Sequence, residues 1–216
     1  MGLQINFFGY YTCLFTDKGR AIMKQQFITS YPVFISTLFR LTSWQQKLLV
    51  TTCATLVLAV SANVSIPTEP VPFTFQSLAV LLVGAFLGRR LGMLALLQYL
   101  AVGAMGLPVF ANGSGGIAAL LSPSSGYLYG FIVSAYLAGF AAEKGYDRQL
   151  VLGLIAFACA HQIIFVFGVT YLAGYLSISL SQAIKIGYLP FIGFDSLKFI
   201  LASCIMFILW RYRAKR

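Results

Sequence analysis

Leu150 to Leu172 reads LVLGLIAFACAHQIIFVFGVTYL, with no Asp, Glu, Lys or Arg and one histidine, His161. A helix needs about 20 predominantly apolar residues to cross a hydrocarbon core about 30 Å thick, so this stretch reads as a membrane span. Working outward from it, further apolar runs extend over Leu48 to Ile66, Pro72 to Gly88, Leu91 to Met105, Gly126 to Ala142 and Leu189 to Tyr212. Six spans consume most of a 216-residue chain and leave no room for a separate soluble domain. With 59% hydrophobic and 9% charged residues, the composition is far from the roughly 25% charge of a soluble domain. The expected fold is therefore an all-α membrane protein: residues 1–40 form an N-terminal extension and residues 41–216 a six-helix transmembrane domain.

The 15 Lys and Arg residues set the expected orientation. Lys18, Arg20, Lys24, Arg40 and Lys47 precede the first span, and Arg89 and Arg90 separate the second from the third. Lys144 and Arg148 separate the fourth from the fifth, and Arg211, Arg213, Lys215 and Arg216 end the chain. All of these fall on one side, whereas the alternate connections hold only Lys185, and Lys198 lies inside the last span. The positive-inside rule then places both termini in the cytoplasm of a multi-pass cell-membrane protein. It also accounts for the net charge of +10 without a nucleic-acid partner, because the basic residues are dispersed at span ends. Trp44, Trp210 and Tyr212 are expected to anchor in the headgroup region of the bilayer.

Small residues recur at four-residue spacing at Gly84, Gly88 and Gly92 and at Gly126, Gly130, Ser134 and Ala138. Such ridges permit close helix approach, either inside this bundle or against another membrane subunit. The four cysteines form no C-x-x-C pair and have no adjacent His or acid, so neither a disulfide framework nor a metal site is expected. Phe7, Phe8, Tyr10 and Tyr11 start an aromatic segment that Asp17, Lys18 and Arg20 cut short. It reads as an interfacial segment, or as sequence upstream of a true start at Met23.

Three unusual connections fall on the outer side: Pro67 to Thr74, Gly106 to Ser125 and Leu172 to Pro190. The Gly-rich outer loop between helices 3 and 4 carries Asn112, Ser114, Gly115 and Gly116, whose backbone N–H groups have little steric cover. Asp195 and Lys198, about 8 Å below the outer end of the sixth span at 1.5 Å per residue, share one helix face. Ionisable residues inside a membrane are functional candidates facing the bundle interior. With Gln76 heading the second span and Tyr127 the fourth, they outline a pocket for a small molecule bearing both N–H and C=O groups.

Pro70-Val71-Pro72-Phe73-Thr74-Phe75-Gln76, Gly106-Leu107-Pro108-Val109-Phe110, Ser114-Gly115-Gly116, Gly126-Tyr127 and Asp195-Ser196-Leu197-Lys198 together resemble the BioY family. These are the biotin-specific substrate-binding components of energy-coupling factor (ECF) transporters. The resemblance is dense from Asn63 to Glu143, returns from Pro190 to Ala202, and does not cover residues 1–40. It implies six helices with cytoplasmic termini, biotin bound near the outer face, and uptake powered by a transmembrane coupling protein with paired ABC-type ATPases. It further implies that Ser114, Asp195 and Lys198 hold the ureido ring, with Gly115, Gly116 and Tyr127 bordering the rest of the ligand. No cofactor is implied beyond biotin as the transported ligand. Two departures stand out: Ser122-Pro123-Ser124-Ser125-Gly126-Tyr127 replaces the family's usual Gly-Pro-Thr/Ser-Gly-Gly-Tyr, and Ser114 stands in a loop that is often Asn- or Gly-rich.

The chain has no G-x-x-x-x-G-K-[ST] loop, so it does not itself hydrolyse ATP by that machinery, and energy must come from a partner or a gradient. Two other classes compete with a substrate-capture protein. One is a proton-coupled secondary carrier using Asp195, which predicts uptake that collapses with an uncoupler. The other is an intramembrane enzyme pairing Ser114 with His161, although the Gly-Ser-Gly-Gly context lacks a nucleophile elbow. His161 otherwise reads as an interhelical hydrogen bond to a buried hydroxyl.

Overall fold

The computed structural model describes residues 31–39 and 41–214. The aromatic start, the alternative Met23 start and the basic residues Lys18, Arg20, Lys24, Arg40, Lys215 and Arg216 lie outside the described residues. Helix α1 (Phe34–Leu38) precedes α2 (Trp44–Asn63), and a two-residue hairpin, β1 (Ser65–Ile66) and β2 (Phe73–Thr74), leads into α3 (Gln76–Ala104). A short helix α4 (Ile117–Leu120) follows, then α5 (Ser125–Glu143), α6 (Leu150–Leu176), α7 (Leu180–Gly187) and α8 (Ile192–Ala214). Five helical stretches among the described residues are long and apolar enough to cross a membrane: α2, α3, α5, α6 and the stretch Leu180–Ala214.

The second of these stretches is double. Gly88 sits at φ 81°, ψ 171°, a conformation open to glycine and closed to other residues. A Cβ on Gly92 would lie 2.9 Å from the Gly84 Cα, whereas eight residues along a straight helix are about 12 Å apart. The chain therefore folds back at Gly88, and α3 is a helical hairpin with legs 76–87 and 89–104. The expected runs Pro72 to Gly88 and Leu91 to Met105 correspond to these legs, with Arg89 and Arg90 at the bend.

The small-residue ridges are used inside the bundle. A side chain at Gly84 would collide with the Ala135 carbonyl, and one at Gly139 with the Arg89 amide. Gly130 lies against Ile164, whose Cα a Cβ would approach to 2.9 Å, and Gly126 lies against Tyr171 and the Phe167 carbonyl. Helix pairs α3–α5 and α5–α6 thus pack backbone to backbone, which suits a bilayer where apolar side chains gain little by leaving lipid.

Helix boundaries differ from expectation where backbone hydrogen bonding overrides hydropathy. The second span begins at Gln76 instead of Pro72, because Ser65 pairs with Thr74 and Ile66 with Phe73. Pro70 and Pro72 lack an N–H and keep the preceding chain extended. The first span starts earlier than Leu48, at Trp44, where Ser43 and Gln46 form a reciprocal cap. The connection expected from Leu172 to Pro190 is mostly helical: α6 runs on to Leu176, and Ser179 with Gln182 caps the amphipathic α7.

At the end of the bundle carrying the basic connections, Arg89 Nε lies 3.0 Å from Glu143 Oε2, and the Arg89 amide donates to Glu143 Oε1 at 3.0 Å. Phe34 packs edge-on to Phe86 and Trp210, so residues 31–39 join the bundle at this end. Trp210, expected to anchor in headgroups, donates from Nε1 to the buried Asp147 Oδ2 at 2.6 Å. The Arg148 guanidinium stacks 4.1 Å over the same indole. A buried carboxyl in a turn needs a donor, and the indole N–H supplies one. Burial pushes the Asp147 carboxyl up to about 6, against the Trp210 hydrogen bond and the Arg148 charge, which lower it.

Two predictions follow from this packing. Gly84→Val should overpack the α3–α5 contact and lower the thermal midpoint of the detergent-purified protein by several degrees, consistent with about 1–3 kcal/mol. Gly174→Ala, where an added Cβ meets nothing within 4 Å, should leave it unchanged or raise it slightly. For Asp147, the folded state holds its proton more tightly than the unfolded chain, so stability should fall as pH rises from about 4 to 6 and level off above. Asp147→Asn should flatten that slope in denaturation curves recorded across this range.

Candidate functional site

Asp195 lies in the first turn of α8, where the helix dipole favours a carboxylate, and Lys198 follows one turn later. Both are buried, at 6% and 3% exposure. The Lys198 ammonium pairs with Asp195 Oδ1 and donates to the Thr74 carbonyl at 2.6 Å and to Ser77 Oγ at 3.1 Å. Its three N–H donors thus meet three acceptors from three elements, α8, β2 and α3. Breaking one member of such a buried set leaves an uncompensated charge, which typically costs about 3–5 kcal/mol.

Because α8 begins at Ile192, after a 3₁₀ turn over Leu189–Phe191, Asp195 lies about 4.5 Å and Lys198 about 9 Å along the helix at 1.5 Å per residue. Aromatic side chains cover the pair. Phe73 stacks on Phe191 at 4.1 Å and meets Phe194 at 6.2 Å, and Lys198 Nζ lies 4.9 Å from the Phe194 ring centre. On the other side, Phe165 contacts Tyr188 at 4.8 Å, Tyr127 at 6.0 Å and Phe191 at 6.0 Å. The hairpin brings Phe73 here, and the 3₁₀ turn brings Phe191.

Gln76, the first residue of α3, is buried next to Ser77, and the nearby Tyr99 is fully buried on the second leg of α3. The Tyr99 hydroxyl donates to the Val109 carbonyl at 3.0 Å, which ties the Gly-rich loop to α3. Tyr127 is buried with its ring over Gly168, donates to the Gly187 carbonyl at 2.8 Å and lies within electrostatic reach of Asp195. The loop residues are placed separately. Asn112, at φ 58°, holds Ser65 Oγ at 3.0 Å, and the Gly113 amide donates to Asn63 Oδ1 at 2.9 Å. Ser114 is exposed and donates its hydroxyl to the Ala111 carbonyl at 2.8 Å, while the Gly116 amide donates to the Gly103 carbonyl at 2.7 Å. The structure therefore joins Asp195 and Lys198 to Thr74 and Ser77 in one buried network, places Gln76 next to Ser77 and Tyr127 against Phe165, and keeps Asn112, Ser114, Gly115 and Gly116 in a separate loop.

Three contributors were not legible in advance. The Thr74 carbonyl and Ser77 hydroxyl acquire their role only from where β2 stops and α3 starts. His161, expected to bond a buried hydroxyl, instead faces Asp195, with Nε2 3.7 Å from Oδ2, because α6 packs on α8 at this level. The Ser114 hydroxyl donates to the Ala111 carbonyl, and His161 faces Asp195 Oδ2 without bonding to it.

The family model described as "BioY family" matches residues 32–215. A protein of Thermotoga maritima named "Biotin transporter BioY" is 40% identical over 162 residues, covering 75% of this chain and 94% of that protein. A "Probable biotin transporter BioY" of Pyrococcus horikoshii is 37% identical over 147 residues, covering 68% of this chain and 85% of that one. Among solved structures, the "S-component for biotin from an ECF-type ABC transporter" matches with a TM-score of 0.69 at 26% identity. That match covers 79% of this chain and 95% of the solved one.

Removing either charge should destabilise the bundle more than removing both. Asp195→Asn and Lys198→Met should each lower the thermal midpoint clearly, and the double variant should recover part of the loss. Strictly additive losses would mean that the two charges do not compensate one another.

Proposed function

The chain belongs to the BioY family, and from that premise we propose that it captures biotin from outside the cell as the substrate-binding component of an ECF-type uptake transporter. It is a multi-pass membrane transport component and not an enzyme. Its place is the cell membrane, with the basic end in the cytoplasm by the positive-inside rule and the Gly-rich loop outside. The observation that carries the reading is the buried Asp195–Lys198 pair under aromatic cover, at the end of the bundle opposite the basic connections.

The ureido ring of biotin carries two N–H donors and one C=O acceptor and so needs partners of both kinds. Asp195 accepts from an N–H through Oδ2, the oxygen not engaged by Lys198. Lys198 donates to the C=O by giving up one of its neutral acceptors, Thr74 O or Ser77 Oγ, while keeping Asp195. Gln76 borders this polar end. Phe73, Phe191 and Phe194 supply faces for the fused rings, including favourable sulfur–aromatic contacts. Tyr127, Asn112, Ser114, Gly115 and Gly116 border the remainder of the ligand. Energy for release to the interior comes from a transmembrane coupling protein and its ABC-type ATPases, since this chain carries no nucleotide-phosphate loop.

Calorimetric titration of the detergent-purified protein with biotin, with thiamine and riboflavin as controls, tests this reading. Tight binding of biotin alone is expected. Asp195→Asn and Lys198→Met should each weaken it by at least about tenfold, the scale of one charge-assisted hydrogen bond of roughly 1.5–3 kcal/mol. A folded native chain that ignores biotin would overturn the assignment.

A further inference from the structure

His161 is fully buried on α6, and its ring is confined between Phe165 at 5.5 Å and Phe199 at 5.8 Å. Neither ring nitrogen has a hydrogen-bond partner among the described residues. Buried polar atoms are nearly always satisfied, so an unpartnered imidazole held in place by packing calls for a reason. The polar atom it faces is Asp195 Oδ2, 3.7 Å from Nε2. That separation is longer than a hydrogen bond, but site hydrogen bonds that are loose without ligand commonly tighten when it binds.

Asp195 is held on one side only. Oδ1 is engaged by Lys198, whose other donors are committed to Thr74 and Ser77, so rotation of the carboxylate about its Cβ–Cγ bond is checked only at Oδ1. Oδ2 is the oxygen that the proposed function assigns to the ligand. A neutral imidazole donating from Nε2–H would fix the carboxylate plane and still leave an Oδ2 lone pair for a second donor. Orienting the acceptor in advance reduces the ordering cost at binding.

We propose that His161 is a positioning residue for the substrate: as the Nε2–H tautomer it donates to Asp195 Oδ2 and aims that oxygen at a ureido N–H. The ligand part rests on the biotin reading above, whereas the tautomer and its dependence on Asp195 do not.

Two substitutions separate this role from that of an ordinary core histidine. His161→Gln keeps an N–H donor and should stay within about threefold of native biotin affinity. His161→Phe keeps an apolar ring of similar size and should lose ten- to a hundredfold in calorimetric titration, with an unchanged thermal midpoint. A packing role predicts the reverse order, and that order would overturn the proposal. Because His161 is the only histidine in the chain, ¹⁵N-histidine labelling reports one imidazole in the full-length protein without ligand. The expected spectrum is a neutral Nε2–H tautomer whose Nε2 resonance moves on Asp195→Asn. An Nδ1–H tautomer, or a resonance indifferent to Asp195→Asn, overturns the proposal whether or not biotin binds. Native protein that shows the expected spectrum but no biotin binding would overturn the ligand assignment alone.

Discussion

A lysine ammonium buried among helices must be given three acceptors, and much of the loop end of this bundle is arranged around that demand. Asp195 provides one from the same helix face. The Thr74 carbonyl provides the second, from the strand β2 that the proline-rich turn folds back onto β1. Ser77 provides the third because α3 begins at Gln76, with its first turn against α8. The ammonium thereby ties α8 to β2 and α3, two neighbouring elements far from it in sequence. Desolvation makes such a set unforgiving, since a missing acceptor leaves a charge in an apolar surrounding.

The opposite end solves a different problem by related means. Asp147 is buried in the turn between α5 and α6 and is held by the Trp210 indole, while Arg148 covers that ring and donates to the Pro32 carbonyl. Elsewhere in the bundle, helices are held by close backbone approach at Gly84, Gly92 and Gly130, and at Gly139 against Arg89 near the basic end.

Much of this organisation was legible in the sequence, for physical reasons that also mark where the reading stopped. Apolar length located the helical runs, and the charged breaks at Arg89 and Lys144 located the turns, because a bilayer penalises charge steeply. The Asp195 and Lys198 pair was visible for the same reason. Hydropathy is blind to backbone hydrogen bonding, however, so it left Pro72 to Thr74 shared between an apolar run and an outer connection, and the Phe73–Thr74 strand was not foreseen. It placed the reversal at Arg89 and Arg90 but not its making by one residue, Gly88, which is a matter of dihedral freedom. His161 could be placed near mid-span but not aimed, since its orientation depends on the rotation of α6 against α8. Ser77 and the Thr74 carbonyl carried no signal, because an ordinary serine and a main-chain oxygen become ligands only through position.

The saturation of Lys198 bears on selectivity under the proposed function. With every donor already paired, binding is an exchange in which the ligand must replace what it displaces. A carboxylate-only solute would satisfy Lys198 but face Asp195, and an amine-only solute would satisfy Asp195 but crowd Lys198. Each leaves one buried group worse off than before, and such losses are larger than the gain from one new hydrogen bond. A neutral group that carries N–H and C=O on one small ring leaves neither charge unpaired. Because the displaced acceptor, Thr74 O or Ser77 Oγ, belongs to β2 or α3, the exchange also loosens one of the ties between those elements and α8. Ligand occupancy is thereby linked to how firmly the proline-rich turn is held, without any element having to move far.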